Sequence, residues 1–269
     1  MKSTLIMKFG GAAVETPAHF SKIADIIVAK AKEYRQVAVV VSAMGDMTDQ
    51  LIALAKEVNS DPPRREYDML ITVGERISIS LLAMALAAKK KKAISFTGSQ
   101  SGIITSGTHS DARIIEVRPH RLLPHLKQGT IVIVAGFQGV SQKGEITTLG
   151  RGGSDTTAVA LGLALKADKV EFFKDVAGIF EEDPKKKPGA KLLSSLSYEE
   201  ALKIVKNGGG QVLHERCIAL AGRNGLPLHV LSFHDVATHV GSNHQLGTVI
   251  SEERRSCQQD AVYEEVPAE

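Results

Sequence analysis

Only two cysteines occur in 269 residues, Cys217 and Cys257, and neither sits in the close pairing that binds zinc or exchanges disulfides. A reducing compartment is therefore expected, and Cys217, set among apolar residues, reads as a small core side chain rather than a nucleophile. Long apolar runs are missing too: no uninterrupted stretch reaches the roughly 18 residues of a membrane span. Met1 runs directly into an apolar strand and a glycine pair, which leaves no room for a signal peptide, so the expectation is a cytoplasmic protein without a membrane partner. One-sided charge is also absent. Lys and Arg number 33 against 30 Asp and Glu, a net charge of +3, which speaks against nucleic acid as a partner. A hydrophobic content of 43% is ample for one large α/β domain or two small ones.

Short β-branched segments recur at Leu5–Met7, Val37–Val41, Ala93–Phe96, Ile131–Ala135, Val170–Phe173 and Leu228–Leu231. They read as strands, and longer amphipathic segments separate most of them. That alternation predicts a three-layer α/β/α sandwich with a largely parallel central sheet. Thr16 is positioned to cap a first helix, Pro17 suits its first turn, and Phe20, Ile23, Ala24, Ile27, Val28 and Ala31 share one face. Ser197 with Glu200 forms a capping-box pattern, and Gly225 is placed to stop a later helix. The stretch from Asp183 to Lys191, with two prolines and three consecutive lysines, reads as a surface loop. From residue 251 the apolar pattern stops and acidic residues dominate, as in a solvated, disordered tail.

Two glycine-rich segments carry candidate chemistry. In MKFGGAAV a strand ends at Lys8 before Gly10 and Gly11, where backbone amides and the lysine can meet a phosphate, or where the glycines simply turn the chain. In TTLGRGGSDTTAVAL a polar loop enters a helix. There Arg151 is either a two-pronged carboxylate ligand or an ordinary surface arginine, and Asp155 either caps the helix or orients Lys8. An acidic residue such as Glu75 in an amphipathic helix is ordinarily solvated. His234, His239 and His244 recur every five residues and share no helical face, so no protein metal site is expected.

KFGG, VVVSAMGDMTD, ITVGERIS, VAGFQG and TLGRGGSDTTAVAL occur in the order found in aspartokinases, and from about Lys2 to Ser232 the chain resembles that branch of the amino acid kinases. The resemblance implies a catalytic domain over residues 1–250, its N-terminal part binding L-aspartate and its C-terminal part binding ATP with Mg²⁺. It implies a homodimer acting in lysine, threonine and methionine biosynthesis. By resemblance Lys8, Gly10 and Gly11 contact the transferring phosphate and Asp155 organises the catalytic charges. Ser42, Ala43, Thr48, Glu75, Arg151 and Ser154 line the aspartate site. Lys174, Asp175, Phe180, Lys185 and Gln211, together with Lys8 and Gly11, serve the nucleotide. Ala12 and Ala13 replace hydroxyl residues usual after the glycines, Lys174 stands where a small hydroxyl residue is usual, and Gln211 and Glu215 depart from a VLHP-type neighbourhood. These departures leave a weakened binding or regulatory subunit, or a kinase of another carboxylate, as alternatives. Aspartokinases commonly continue into small ligand-binding regulatory domains, and the acidic ending leads to the expectation that lysine and threonine do not inhibit directly.

Overall fold

A computed structural model describes residues 2–182, 184, 187–206, 212–238, 246–252 and 261–266. In chain order the strands are β1 (Lys2–Phe9), β2 (Tyr34–Val41), β3 (Ala93–Phe96), β4 (Ile103–Thr105), β5 (Ile114–Val117), β6 (Ile131–Ala135), β7 (Gln138–Ser141), β8 (Ile146–Thr148), β9 (Lys169–Lys174), β10 (Ser195–Leu196), β11 (Leu228–Ser232) and β12 (Thr248–Ile250). The helices are α1 (Pro17–Lys30), α2 (Met47–Val58), α3 (Arg64–Ile71), α4 (Val73–Ala88), α5 (Leu123–Lys127), α6 (Gly153–Ala164), α7 (Tyr198–Lys206), α8 (Glu215–Asn224) and α9 (Phe233–Thr238).

The main sheet has the order β10-β12-β11-β9-β1-β2-β6-β3. Its pairings are parallel except for β11 with β12. Successive side chains of a strand point to opposite faces, so a sheet covered on both sides needs apolar residues at every position. In β1, Leu5, Met7 and Phe9 pack with Phe20, Ile23 and Ile27 of α1 and with Leu82 and Leu86 of α4. Ile6 faces the other way, toward Val159 and Leu161 of α6 and Ile218 of α8. This is the three-layer arrangement. A smaller sheet, β5-β4-β7-β8, lies beside it.

The capping box at Ser197 forms, with Glu200 accepting from the Ser197 amide at 2.8 Å and the Ser197 hydroxyl accepting from Glu200 N at 3.2 Å. Gly225 closes α8 in a left-handed conformation, φ 62°. Thr16 precedes α1 but makes no side-chain cap, so Pro17 alone marks that start. Helices α3 and α4 run as one segment, Arg64–Ala88, whose 25 residues satisfy the length and composition of a membrane-crossing helix. Its α4 half nonetheless enters the core: Leu82 and Leu86 are fully buried, and α4 packs on α1, β3 and β6, while Met69, Val73, Ile77 and Met84 stay exposed.

The acidic tail needs a correction for residues 261–266. Glu264 N donates to Ile114 O at 3.1 Å, its carboxylate accepts from Ile114 N at 2.9 Å, and Tyr263 packs on the apolar core. Composition favours solvation, but these specific backbone and aromatic contacts dock the segment on β5 and α8.

Candidate active site

Four neighbouring parallel strands present their carboxyl ends along one edge of the main sheet. There β9 ends at Lys174, β1 leads through Lys8 to Gly10 and Gly11, β2 leads to Ser42 and Ala43, and β6 leads to Phe137. Ligands of open α/β sheets bind along this edge. A cavity of about 650 Å³ opens here, and Lys8, Gly11 and Asp155 line it together with Ser42, Ala43, Thr48, Glu75, Arg151 and Ser154. Gly10 adjoins it, its Cβ position lying 3.6 Å from the Lys8 Nζ.

Asp155 sits in the first turn of α6 and does not cap it. Its carboxylate lies between two lysines, with Lys8 Nζ 2.6 Å from Oδ1 and Lys174 Nζ 2.9 Å from Oδ2. The Lys174 contact is a hydrogen bond, and Lys8 forms a close ion pair with Oδ1. Burial opposes ionisation of Asp155, but Lys174 and Lys8 outweigh it and hold the carboxyl at about 2. Burial pulls the Lys8 ammonium below its usual pKa, with Asp155 acting against that pull. Two cations on one anion, beside a helix N-terminus, leave this end of the cavity with a surplus positive charge suited to phosphate.

Glu75 marks the opposite character. It is 2% exposed, its Oε1 accepts from Ala43 N at 3.1 Å, and its Oε2 has no partner. Loss of hydration raises its pKa to about 7, against the lowering effect of backbone amides and Lys8. Gly74 makes this approach possible, since a Cβ there would lie 2.7 Å from that of Ala43. Arg151 is exposed at the cavity mouth and makes no side-chain ion pair or hydrogen bond among the described residues. The loop that carries it turns through Gly152, at φ 71° and with its Cβ position 2.2 Å from the His214 side chain, so no larger residue fits.

A neighbouring cavity of about 570 Å³ shares Arg151, Gly152 and Asp155 and extends to Lys206, His214 and Glu215. Asp175 and Phe180 lie beyond β9 and border neither cavity; Phe180 instead bridges Leu192. Lys185 and Gln211, the remaining nucleotide residues expected from the sequence, lie outside the described residues, as do His239 and His244.

The Amino acid kinase family model matches residues 3–232. The chain belongs to this family. It is 46% identical over 249 residues to an aspartokinase of Bacillus sp. strain MGA3, covering 93% of this chain and 58% of that protein. It is 51% identical over 229 residues to an aspartokinase of Mycolicibacterium smegmatis, covering 85% of this chain and 54% of the relative. The chain thus spans somewhat more than half the length of the relatives it matches. The crystal structure of aspartate kinase from Synechocystis superposes with a TM-score of 0.83 at 39% identity, over 97% of this chain and 42% of that one. E. coli aspartokinase III, solved with aspartate and ADP, gives a TM-score of 0.81 at 27% identity, over 94% of this chain and 65% of that one.

Several residues of the cavity were not legible in the sequence of this amino acid kinase family member. Arg64 and Tyr67 of α3, Ser110 and Phe137 also line the larger cavity. Phe137 adopts φ 68°, a strained conformation for a bulky residue. Asp68 is fully buried and acts as a hub, bonding His109, the amide and hydroxyl of Ser110, and the amide and hydroxyl of Thr148. An aspartate in the polar first turns of a helix gives no signal of this; its partners lie 41, 42 and 80 residues away.

Proposed function

We propose that this chain is the catalytic unit of an aspartate kinase, transferring the γ-phosphoryl group of ATP to the β-carboxylate of L-aspartate to give 4-phospho-L-aspartate and ADP. The observation that carries the reading is the unpartnered, buried Oε2 of Glu75 in one cavity with the exposed guanidinium of Arg151, unpaired among the described residues, and the Lys8–Asp155–Lys174 cluster. An amino acid with two carboxylates and one ammonium asks for this combination of groups. Glu75 takes the ammonium, Arg151 with Ser154 holds carboxylate, and Ser42, Ala43 and Thr48 line the pocket.

No general base is required, because the acceptor carboxylate is already ionised at neutral pH. One of its oxygens forms a bond to the γ-phosphorus as the bond to the β,γ-bridging oxygen breaks, and the electron pair leaves on ADP. The barrier is positioning and charge repulsion, which Lys8 and the Gly10–Gly11 amides offset while Asp155 fixes the lysine. Mg²⁺ entering with the nucleotide would supply neutralisation of phosphate charge beside Lys8 and the Gly10–Gly11 amides. Among the described residues no three His, Cys, Asp or Glu side chains converge on a site for it. Lys174, and from the sequence Asp175, Phe180, Lys185 and Gln211, serve the nucleotide side. The reading extends to a cytoplasmic homodimer supplying lysine, threonine and methionine synthesis.

Incubation with aspartate, MgATP and hydroxylamine is expected to yield the aspartyl hydroxamate; folded protein that binds both substrates and gives none overturns the reading. Arg151→Ala is expected to raise KM for aspartate by about 10–100-fold with a smaller change in kcat, as for loss of a paired charge contact. Steady-state hydroxamate kinetics checks this, and an unchanged KM removes Arg151 from the acceptor site. A second reading, a subunit that binds without turnover, draws on Lys174 occupying Asp155 at 2.9 Å where a hydroxyl residue is usual. Tight aspartate binding without hydroxamate selects it.

A further inference from the structure

The two loops that frame the proposed acceptor pocket are held from opposite sides. From within, Asp68 binds Ser110 and Thr148. From without, Arg216 in the first turn of α8 donates through Nη1 to Leu149 O and through Nη2 to Ala112 O, the latter at 3.0 Å. Leu149 stands two residues before Arg151, and Ala112 two residues after Ser110. The Arg216 side chain is only 12% exposed, and its orientation is fixed by Glu264: Nε donates to Oε1 at 2.8 Å and Nη2 to Oε2 at 3.0 Å. This two-pronged pairing is the geometry in which guanidinium and carboxylate lock each other most firmly. Asp111, at 3.3 Å, is the other acid on Arg216, and its side chain is 61% exposed.

Glu264 is itself anchored. Its backbone amide and carboxylate pair with Ile114 of β5, Val262 exchanges hydrogen bonds with the Asn224 side chain in both directions, and Tyr263 packs on the core. We propose that the segment 261–266 is a strap whose Glu264 acts as a positioning residue for the acceptor pocket, setting through Arg216 the loops that carry Ser110 and Arg151. The inference rests on the reading of the cavity as the aspartate site. With Glu264 neutralised, Arg216 keeps only two carbonyls and a solvated acid, and the guanidinium turns toward water. Both loops then lose their outer restraint while the phosphate end, built on Lys8 and Asp155, is untouched.

The test is hydrogen exchange and hydroxamate kinetics on the full chain carrying Glu264→Gln, with Glu265→Gln as the control, since Glu265 is 87% exposed. Glu264→Gln is expected to speed exchange in peptides spanning 108–113 and 147–152, with α4 unchanged. It is expected to raise KM for aspartate about tenfold, the equivalent of one charge-assisted hydrogen bond, with kcat and KM for ATP within about twofold. Adding Arg216→Gln should change little more, because the two residues act as one unit. Unchanged loop exchange, exchange that rises evenly over the whole chain, or equal losses in every kinetic constant would overturn the strap. If the wild-type chain makes no aspartyl hydroxamate, the substrate assignment falls, while the exchange pattern alone still decides whether Glu264 holds the loops.

Discussion

Replacing Lys8 with alanine is expected to lower kcat by about 10²–10³-fold while KM for aspartate moves less than about threefold, the pattern of an interaction made mainly in the transition state. The physical basis is the position of the ammonium: 4% of Lys8 is exposed, and its charge is held 2.6 Å from Asp155, where the proposed reaction would have to offset phosphate charge. In a site shielded from water, one fixed cation counts for far more than a solvated one. Folding should survive the change, because Asp155 keeps Lys174 at 2.9 Å and is not left as an unpaired buried charge. Circular dichroism together with steady-state kinetics separates the outcomes. A folded variant whose kcat stays within a few-fold of wild type would remove Lys8 from the chemistry. Asp155 supplies a linked expectation. Its folded-state pKa, about 2, lies below the ordinary 3.8, so its contribution to stability is present above pH 3.8 and is lost as pH falls toward 2.

The second large effect concerns Glu75, whose pKa has the opposite shift. A value of about 7 against an ordinary 4.5 means that the folded chain binds this proton more tightly than the unfolded chain does. Its contribution to stability therefore falls as pH rises from 4.5 through about 7, then levels off. The ionised form costs about 3 kcal/mol relative to an unburied glutamate, on the scale of 1.36 kcal/mol per pKa unit. In the proposed reading the ammonium of an amino acid substrate would offset that cost, since Oε2 has no partner. Apparent KM for aspartate should thus rise as pH drops below 7, approaching about tenfold per unit as the carboxylate becomes protonated. Glu75→Gln should raise KM about 10–100-fold at pH 8 and abolish this pH dependence, while the unliganded variant melts no lower than wild type. Calorimetry in buffers of differing ionisation enthalpy would register proton release when aspartate binds near pH 7. A glutamine variant with wild-type KM and a wild-type pH profile would sink the assignment of Glu75 to the ammonium.

The opposing shifts of two carboxylates in one cavity have one origin. Both are buried, but Asp155 has two lysines against it and Glu75 has two amides and a more distant charge. The protein thereby keeps an ionised partner for Lys8 and leaves a second acid, Glu75, with one carboxylate oxygen unpaired.

Local sequence was sufficient for six strands of the main sheet: the inner parallel ones, buried on both faces, must be continuously apolar and β-branched over a short length, and the edge strand β3 keeps a short apolar run. It was equally sufficient for the capping box at Ser197, the stop at Gly225 and the glycine loops, whose chemistry is contained within a few residues. The small sheet was not legible: β4 and β8 have three residues each, and the β4–β5 register shifts between Ile104 and Thr105, too little for a period-two pattern to emerge. Tertiary structure alone decided which alternative each polar residue took. Asp155 became a lysine clamp rather than a helix cap, Glu75 turned inward rather than to solvent, and Glu264 left an acidic, apparently solvated stretch to lock Arg216. The reason is range. Apolar periodicity and turn chemistry act between neighbours in the chain, whereas the value of a buried charge depends on partners brought near by folding, here 32, 147 and 48 residues away (75 − 43, 155 − 8 and 264 − 216).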